Sequence, residues 1–332
     1  MADVLGARKL IIQIPCFNEE GTLAATLAEL PRSLPGIGAV ELLVIDDGST
    51  DRTVEVARAA GAHHVVSLPH NQGLAKAFMA GIEASLKAGA DIIVNTDADN
   101  QYSAASLPRL LAPILDGSAQ IVIGARPIER IDDFSLVKKA LQRVGSAVVR
   151  LASGTRVADA PSGFRAFHRD AAMRLYVFGS YTYTLETIIQ AGTKNIPIAS
   201  VPVEVNPATR PSRLVRSIPS YVYRSIISIG RVFALYKPLR FFFIIGMAFL
   251  IPGVLLGLRF LYQYFTVSGA GRIQSLILAS ILIVTAMIVF AAGVLSDLTA
   301  ANRVLLEEIR MRVLKGEVEE TRRDHAGRTR PT

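Results

Sequence analysis

Residues 91–102 read Asp-Ile-Ile-Val-Asn-Thr-Asp-Ala-Asp-Asn-Gln-Tyr. An apolar run from Asp91 to Val94 breaks into polar residues, and a helix-like segment begins at about Ser103. A short apolar run bounded in this way is a buried strand. Two carboxylates, Asp97 and Asp99, follow one residue apart at its C-terminal end. Hard cations such as Mg²⁺ or Mn²⁺ take oxygen ligands and complete their shell with water and phosphate oxygens. An acidic loop at a strand end therefore suits a nucleotide diphosphate. A solvated acidic turn is the other reading of so short a motif.

Lys9 to Pro15 forms a strand-like run, and Asn18-Glu19-Glu20 opens a helix to about Leu30 that Pro31, Pro35 and Gly36 end. Val40 to Ile45 is a second buried strand, stopping at Asp46-Asp47-Gly48-Ser49-Thr50-Asp51. There Thr50 is placed to cap a helix that carries Asp51 in its first turn. Val65 to Leu68, a helix from Gly73 to about Gly89, a helix to about Asp116 and a strand from Ala119 to Gly124 continue the pattern. Alternating strands and helices predict an α/β domain with a mostly parallel sheet. Ligands of such sheets bind beyond the carboxyl ends of the strands, which gathers Pro15 to Glu19, Asp47, Asp97 to Gln101 and Arg126 on one rim. Singly, Glu19 and Asp51 read as first-turn helix acids and Arg126 as a surface base. Four polar strand ends on one rim favour a site.

After Arg126 the alternation fades. Phe134 to Ser153 is helix-like, a strand falls near Arg165 to His168, helices start at Arg169 and Tyr183, and a strand runs from Ile196 to Val205. From Leu214 to Tyr236, Arg216, Arg224 and Arg231 share about a third of a helix circumference at 100° per residue, which predicts an interfacial helix. A core helix with snorkelling arginines is the alternative, since Pro219 interrupts the period.

The chain has 332 residues, 51% of them hydrophobic, and a net charge of +8. Phe241 to Phe265 and Ile273 to Leu295 are long and apolar enough to cross a bilayer. Met1 to Lys9 carries no apolar core of a signal peptide. Arg231, Lys237 and Arg240 precede the first span and Arg303, Arg310, Arg312 and Lys315 follow the second, whereas the connection holds only Arg272. That asymmetry predicts a multi-pass protein of the cell (inner) membrane with the N-terminal domain and both termini cytoplasmic. The basic balance is then explained by anionic lipid, and no nucleic-acid motif is present. A lone Cys16 excludes an intramolecular disulfide and reads as a small buried hydrophobe. The expected organisation is a catalytic domain over residues 1–213, a juxtamembrane amphipathic segment over 214–240, two transmembrane helices over 241–297 and a basic cytoplasmic tail over 298–332. Residues 316–332, charged and nearly free of apolar side chains, are expected to be disordered.

Five short motifs occur in one order: Pro15-Cys16-Phe17-Asn18-Glu19-Glu20, Asp46 to Asp51, Asp97-Ala98-Asp99 with Gln101, Gly124-Ala125-Arg126, and Ser162-Gly163-Phe164-Arg165. With them the chain resembles a family 2 glycosyltransferase of the GT-A fold, a Rossmann-like domain, over about Leu10 to Leu214. Within that family it is similar to the polyprenyl-phosphate glycosyltransferases that include dolichyl-phosphate mannose synthase. The resemblance implies that Pro15, Phe17, Glu19, Ile45 and Asp47 line the base and ribose pocket of a UDP- or GDP-sugar. It implies that Asp97, Ala98, Asp99 and Gln101 surround the Mg²⁺ or Mn²⁺ site, with Asp97, Asp99 and Gln101 as ligands, and that Arg126 meets the diphosphate. A basic pair, Arg210 and Arg213, follows the last strand; Arg213 replaces a lysine of the mannose synthases, and the pair is more closely spaced here.

The implied reaction is transfer of the sugar to a polyprenyl phosphate such as undecaprenyl or dolichyl phosphate, with inversion. Asp159 is implied to orient the acceptor or take a proton, and Arg165 to bind the lipid phosphate; an internal ion pair is the alternative for both. A processive polysaccharide synthase would hold its chain with Gln-x-x-Arg-Trp, and this chain has no tryptophan. Another lipid-linked or saccharide acceptor remains a rival, as does a non-catalytic nucleotide-sugar sensor. A homo-oligomer is compatible with the arrangement.

Overall fold

The computed structural model describes residues 8–127, 153–155, 157–177, 183–206, 230–231, 234–266 and 273–328. Strands β1 (Lys9–Cys16), β2 (Ala39–Asp46), β3 (His64–Ser67), β4 (Ile92–Asn95), β5 (Ile121–Ala125), β6 (Arg165–His168) and β7 (Ile198–Pro202) make one sheet in the order β3-β2-β1-β4-β6-β5-β7. Only β6 runs antiparallel to its neighbours, so β1, β2, β4 and β5 all end on the same rim.

Helices α1 (Leu23–Glu29), α2 (Thr53–Ala59), α3 (Leu74–Lys87), α4 (Leu107–Leu115), α5 (Arg169–Arg174) and α6 (Thr184–Thr193) flank the sheet. Side chains alternate across a strand, so one strand feeds two cores. Leu10, Ile12 and Ile14 of β1 join Leu23, Leu27, Leu110 and Leu111 on one face. Ile11 joins Phe78, Ile82 and Leu86 on the other. Burial on both faces is why these strands read as continuous apolar runs rather than as alternating ones. Gln13, on the α3 face and fully buried, is the polar exception in β1.

Local differences from expectation have simple causes. The first helix starts at Leu23 rather than at Asn18, because Asn18 takes φ +53°, outside the helical region. Thr50 caps nothing: its N–H donates to the Asn18 side chain at 2.8 Å, while Asp51 accepts from the N–H of Thr53 at 3.0 Å ahead of α2.

Two helices, α7 (Pro238–Thr266) and α8 (Ile273–Arg328), are long and apolar enough to cross a membrane. They pack closely where glycine leaves room. A Cβ on Gly246 would collide with the Phe290 ring, and one on Gly293 would stand 2.8 Å from Phe242.

By its contacts the chain divides into residues 1–223 with 307–332, and residues 224–306. The last part of α8 thus belongs to the catalytic body. Leu314 and Val318, one turn apart, are buried in the same core as Phe78 and Ile82. Around them Lys194 Nζ lies 2.7 Å from Glu307, Lys87 lies 3.3 Å from Glu317, and the Arg310 guanidinium sits 4.6 Å over the Tyr176 ring. The expectation of disorder after Gly316 is corrected: the backbone is helical through Arg328. Two apolar residues at helical spacing give it a seat, and its acids find lysines. The segments holding Arg210, Arg213, Arg216 and Arg224 and the connection 267–272 lie outside the described residues, as does most of the helix expected over 134–153.

Candidate active site

The ends of β1 and β2 are laced into one rim. Asp47 N–H donates to Cys16 O at 2.8 Å, Asn18 N–H to Ser49 Oγ at 2.9 Å, and Glu20 N–H to Asp51 at 3.2 Å. Asp47 spends both carboxylate oxygens on backbone: Gln72 N–H and Gly73 N–H donate to it at 2.8 Å each. It therefore fastens the turn that leads into α3. Gly48 sits beneath that turn with φ +71°, and a Cβ there would be 2.5 Å from the His70 carbonyl carbon, so only glycine fits.

Of the residues expected in the base pocket, Phe17 is exposed at the rim. Glu19 is buried and accepts from the Thr22 hydroxyl at 2.8 Å. Pro15 is buried within β1. Ile45 is fully buried in the α3-side core, where it packs against Gly81, so its side chain belongs to the core and not to a pocket wall.

The loop after β4 presents the two carboxylates. Ala98 is buried in the core, and its carbonyl accepts from Thr26 Oγ1 at 2.9 Å, which holds the loop from below. Asp99 Oδ1 accepts from the Gln101 N–H at 3.2 Å. Asp97 and Asp99 are half-buried. No hydrogen bond from a described residue reaches Asp97. Burial, with the Asp99 charge beside it, pushes the Asp97 carboxyl up to about 7. The charges of Arg126 and Arg165 act against that rise without cancelling it, and the hard oxygen donors of the carboxylate fit Mg²⁺ or Mn²⁺. Among the described residues no group of three or more His, Cys, Asp or Glu side chains gathers for a metal. Diphosphate oxygens and water would have to complete the shell.

Arg126 and Asp159 form a bidentate pair: Nε to Oδ2 is 2.8 Å and Nη2 to Oδ1 is 3.2 Å, and the Arg126 N–H adds 3.3 Å to Oδ2. Burial would lower the Arg126 pKa, but the Tyr102 hydroxyl and the Asp159 carboxylate outweigh it, so the guanidinium is charged at any working pH. Asp159 itself is 1% exposed, whereas the Arg126 side chain is 18% exposed. Asp159 thus pairs with Arg126, the residue expected at the diphosphate.

Arg165 is placed differently from the lipid-phosphate role. It is fully buried and gives its donors to protein oxygens: Ser162 O at 2.8 Å, Thr184 O at 2.8 Å, Thr187 Oγ1 at 2.6 Å and Ala160 O at 2.6 Å. Burial lowers its pKa to about 10, still leaving it charged. It ties the 160–162 loop to α6 and cannot meet a phosphate without breaking those bonds. Burial likewise raises the Cys16 thiol, which makes it a poor nucleophile.

Sequence reasoning missed Asn95, Tyr102 and Tyr183, all buried around the Ser162–Arg165 loop. Asn95, polar at the end of an apolar strand, carried a readable signal. Tyr183 carried none.

The family described as "Glycosyl transferase family 2" matches residues 11–176, half of the chain. The chain belongs to this family. Like other glycosyltransferases of the family it has the GT-A fold. The undecaprenyl-phosphate mannosyltransferase of Micrococcus luteus is 32% identical over 168 residues, covering 49% of this chain and 67% of the relative. The dolichyl-phosphate hexose transferase of Haloferax volcanii is 32% identical over 199 residues, covering 58% and 81%. Among solved structures, glucosyl-3-phosphoglycerate synthase from Mycobacterium tuberculosis, in complex with Mn²⁺, UDP and glucosyl-3-phosphoglycerate, superposes with TM-score 0.53 at 25% identity, covering 67% of this glycosyltransferase and 80% of that chain.

Proposed function

We propose that this glycosyltransferase moves a sugar from a UDP- or GDP-sugar to a polyprenyl phosphate at the cytoplasmic face of the membrane, with inversion. The observation that carries the reading is the β4-end loop, where Asp97 and Asp99 stand half-buried and Asp97 accepts no hydrogen bond from a described residue. The relatives' names supply the acceptor class, and α7 and α8 supply a reason for the acceptor to be a lipid.

Asp97 and Asp99, with Gln101, would hold Mg²⁺ or Mn²⁺, which when bound supplies charge stabilisation to the departing diphosphate. Arg126, charged and partly exposed, adds a second positive group for the leaving oxygens. Asp159 fixes two of its nitrogens and so orients it. The acceptor phosphate oxygen attacks the anomeric carbon as the bond from that carbon to the diphosphate oxygen breaks; one displacement inverts the centre. A phosphate oxygen is already anionic near neutral pH, so no strong base is required. Arg210 and Arg213, from the segment after β7, remain candidates for the diphosphate and the lipid head.

A panel of nucleotide sugars incubated with undecaprenyl phosphate and purified protein in detergent tests the reading. One donor should yield an extractable glycolipid, and excess EDTA should abolish it. Transfer only to a soluble acid such as 3-phosphoglycerate, or turnover undiminished by EDTA, would refute the lipid acceptor or the metal respectively.

A further inference from the structure

Gln13, the buried polar residue of β1, stands opposite Asn95 in the parallel register of β1 and β4. Its Nε2 donates to Asn95 Oδ1 at 2.9 Å. That contact fixes the Asn95 amide, because the oxygen is now the acceptor and Nδ2 must face the other way. Asn95 Nδ2 accordingly donates to the Gly163 carbonyl at 2.9 Å and to the Tyr183 hydroxyl at 2.7 Å. The Tyr183 hydroxyl passes its own proton to the same Gly163 carbonyl at 3.2 Å. The Tyr183 ring is fixed as well, stacked on Phe78 at 3.9 Å and parallel to within 3°.

From the opposite side the Gly163 N–H donates to the Tyr102 hydroxyl at 3.1 Å. Both backbone polar groups of Gly163 are thus held. Its Cα meets Asp97 directly: an added Cβ would stand 2.8 and 2.9 Å from the two carboxylate oxygens, closer than real Cβ contacts come. Gly163 is therefore a wall against one side of the Asp97 carboxylate. Asn95 and Tyr183 are 0% exposed, so neither can touch a substrate.

We propose that Asn95 and Tyr183 are positioning residues: together they pin the Gly163 carbonyl, keep its Cα against the Asp97 carboxylate, and so set where Asp97 presents its oxygens to a divalent cation. This rests on the metal reading above. It accounts for three features of the sequence at once. Gln13 is polar within an apolar strand because it orients Asn95; residue 163 lacks a side chain because Asp97 occupies that space; and a tyrosine, rather than a phenylalanine, stacks on Phe78 because its hydroxyl is needed.

The test uses the full-length protein in detergent, with Mn²⁺ added in the presence of UDP and, separately, GDP. Bound metal is read from the loss of the free Mn²⁺ resonance. Losing one buried hydrogen bond that holds the wall should weaken Mn²⁺ binding about three- to tenfold in Tyr183→Phe and in Asn95→Ala. Gly163→Ala, which intrudes on the carboxylate itself, should weaken it by more than about tenfold. A purely structural role would lower the melting temperature and leave the Mn²⁺ dissociation constant, measured well below the transition, unchanged.

Tyr183→Phe keeps the ring and its stacking, so it decides the matter if the other variants do not fold. A loss of less than about threefold in that variant, on the same hydrogen-bond scale, overturns the proposal and leaves the metal site intact. Absence of saturable Mn²⁺ binding by the unmodified protein with either nucleotide overturns both.

Discussion

In the proposed site Asp97 and Asp99 would hold the metal, and for Asp97 that position comes at a cost to the fold. The Asp97 carboxyl, with a pKa near 7 in place of 3.8, binds a proton more tightly folded than unfolded. A group raised in this way favours the folded state most below its unfolded pKa, and that contribution is lost as pH rises from about 4 through about 7. In EDTA, Asp97→Asn should therefore melt at a higher temperature than the unmodified protein at pH 8, with the gap closing at pH 5. Calorimetry at the two pH values checks the sign; a variant less stable at pH 8 would contradict it. Added Mn²⁺ with nucleotide should stabilise the unmodified protein at pH 8 and leave Asp97→Asn nearly unmoved. Asp99→Asn should fold normally and lose about 100-fold in kcat, the range found when one charge-stabilising group is removed. Initial rates in saturating donor measure it.

Among the elements, the last turns of α8 show most clearly what packing does that composition hides. Leu314→Ala should cost about 2–3 kcal/mol, the lower part of the range for buried leucines, since the site lies at the edge of its core. A urea titration of the full chain reads this directly. The middle of the sheet was legible because its strands are buried on both faces, as in the runs Leu10 to Ile14 and Leu42 to Ile45. The rim was legible for the same reason: the strand ends are where those runs stop. What the residues alone did not disclose were contacts between distant segments. Ile45 sits at a strand end and is nonetheless core, because α3 covers it through Gly81. Arg165 looks like a ligand for phosphate, yet four protein oxygens from two segments surround it. Leu314 and Val318 look like stray apolar residues in a charged tail until the core that holds Phe78 and Ile82 gives them a place.

For the whole molecule, the orientation implied by the basic residues flanking α7 and α8 makes a direct prediction. A tag placed after Thr332 should resist protease added to intact cells and be digested once they are opened, while a cysteine introduced at Ser268 should react with an impermeant maleimide from outside. Digestion of the tag in intact cells would reverse the assignment. A lipid acceptor also predicts a division of kinetic effects. Arg216→Gln with Arg224→Gln should raise the apparent KM for polyprenyl phosphate about 30-fold and leave the KM for nucleotide sugar within about twofold, because each cation near an anionic surface contributes roughly 1 kcal/mol. Equal changes in both constants would argue that these arginines serve the donor.

The last turns of α8 belong to the same compact unit as the first 223 residues, although α7 and most of α8 lie between them in the chain. Synthesis runs in that order. When residue 223 leaves the ribosome the seat for Leu314 and Val318 on the α3 side is still empty, and at 5–20 residues per second it stays so for about 5–20 s. During that interval both apolar helices are made. The core on that side is thus closed late, by residues made after both apolar helices, so a chain cut short before Leu314 would leave it open however well its first 223 residues had folded.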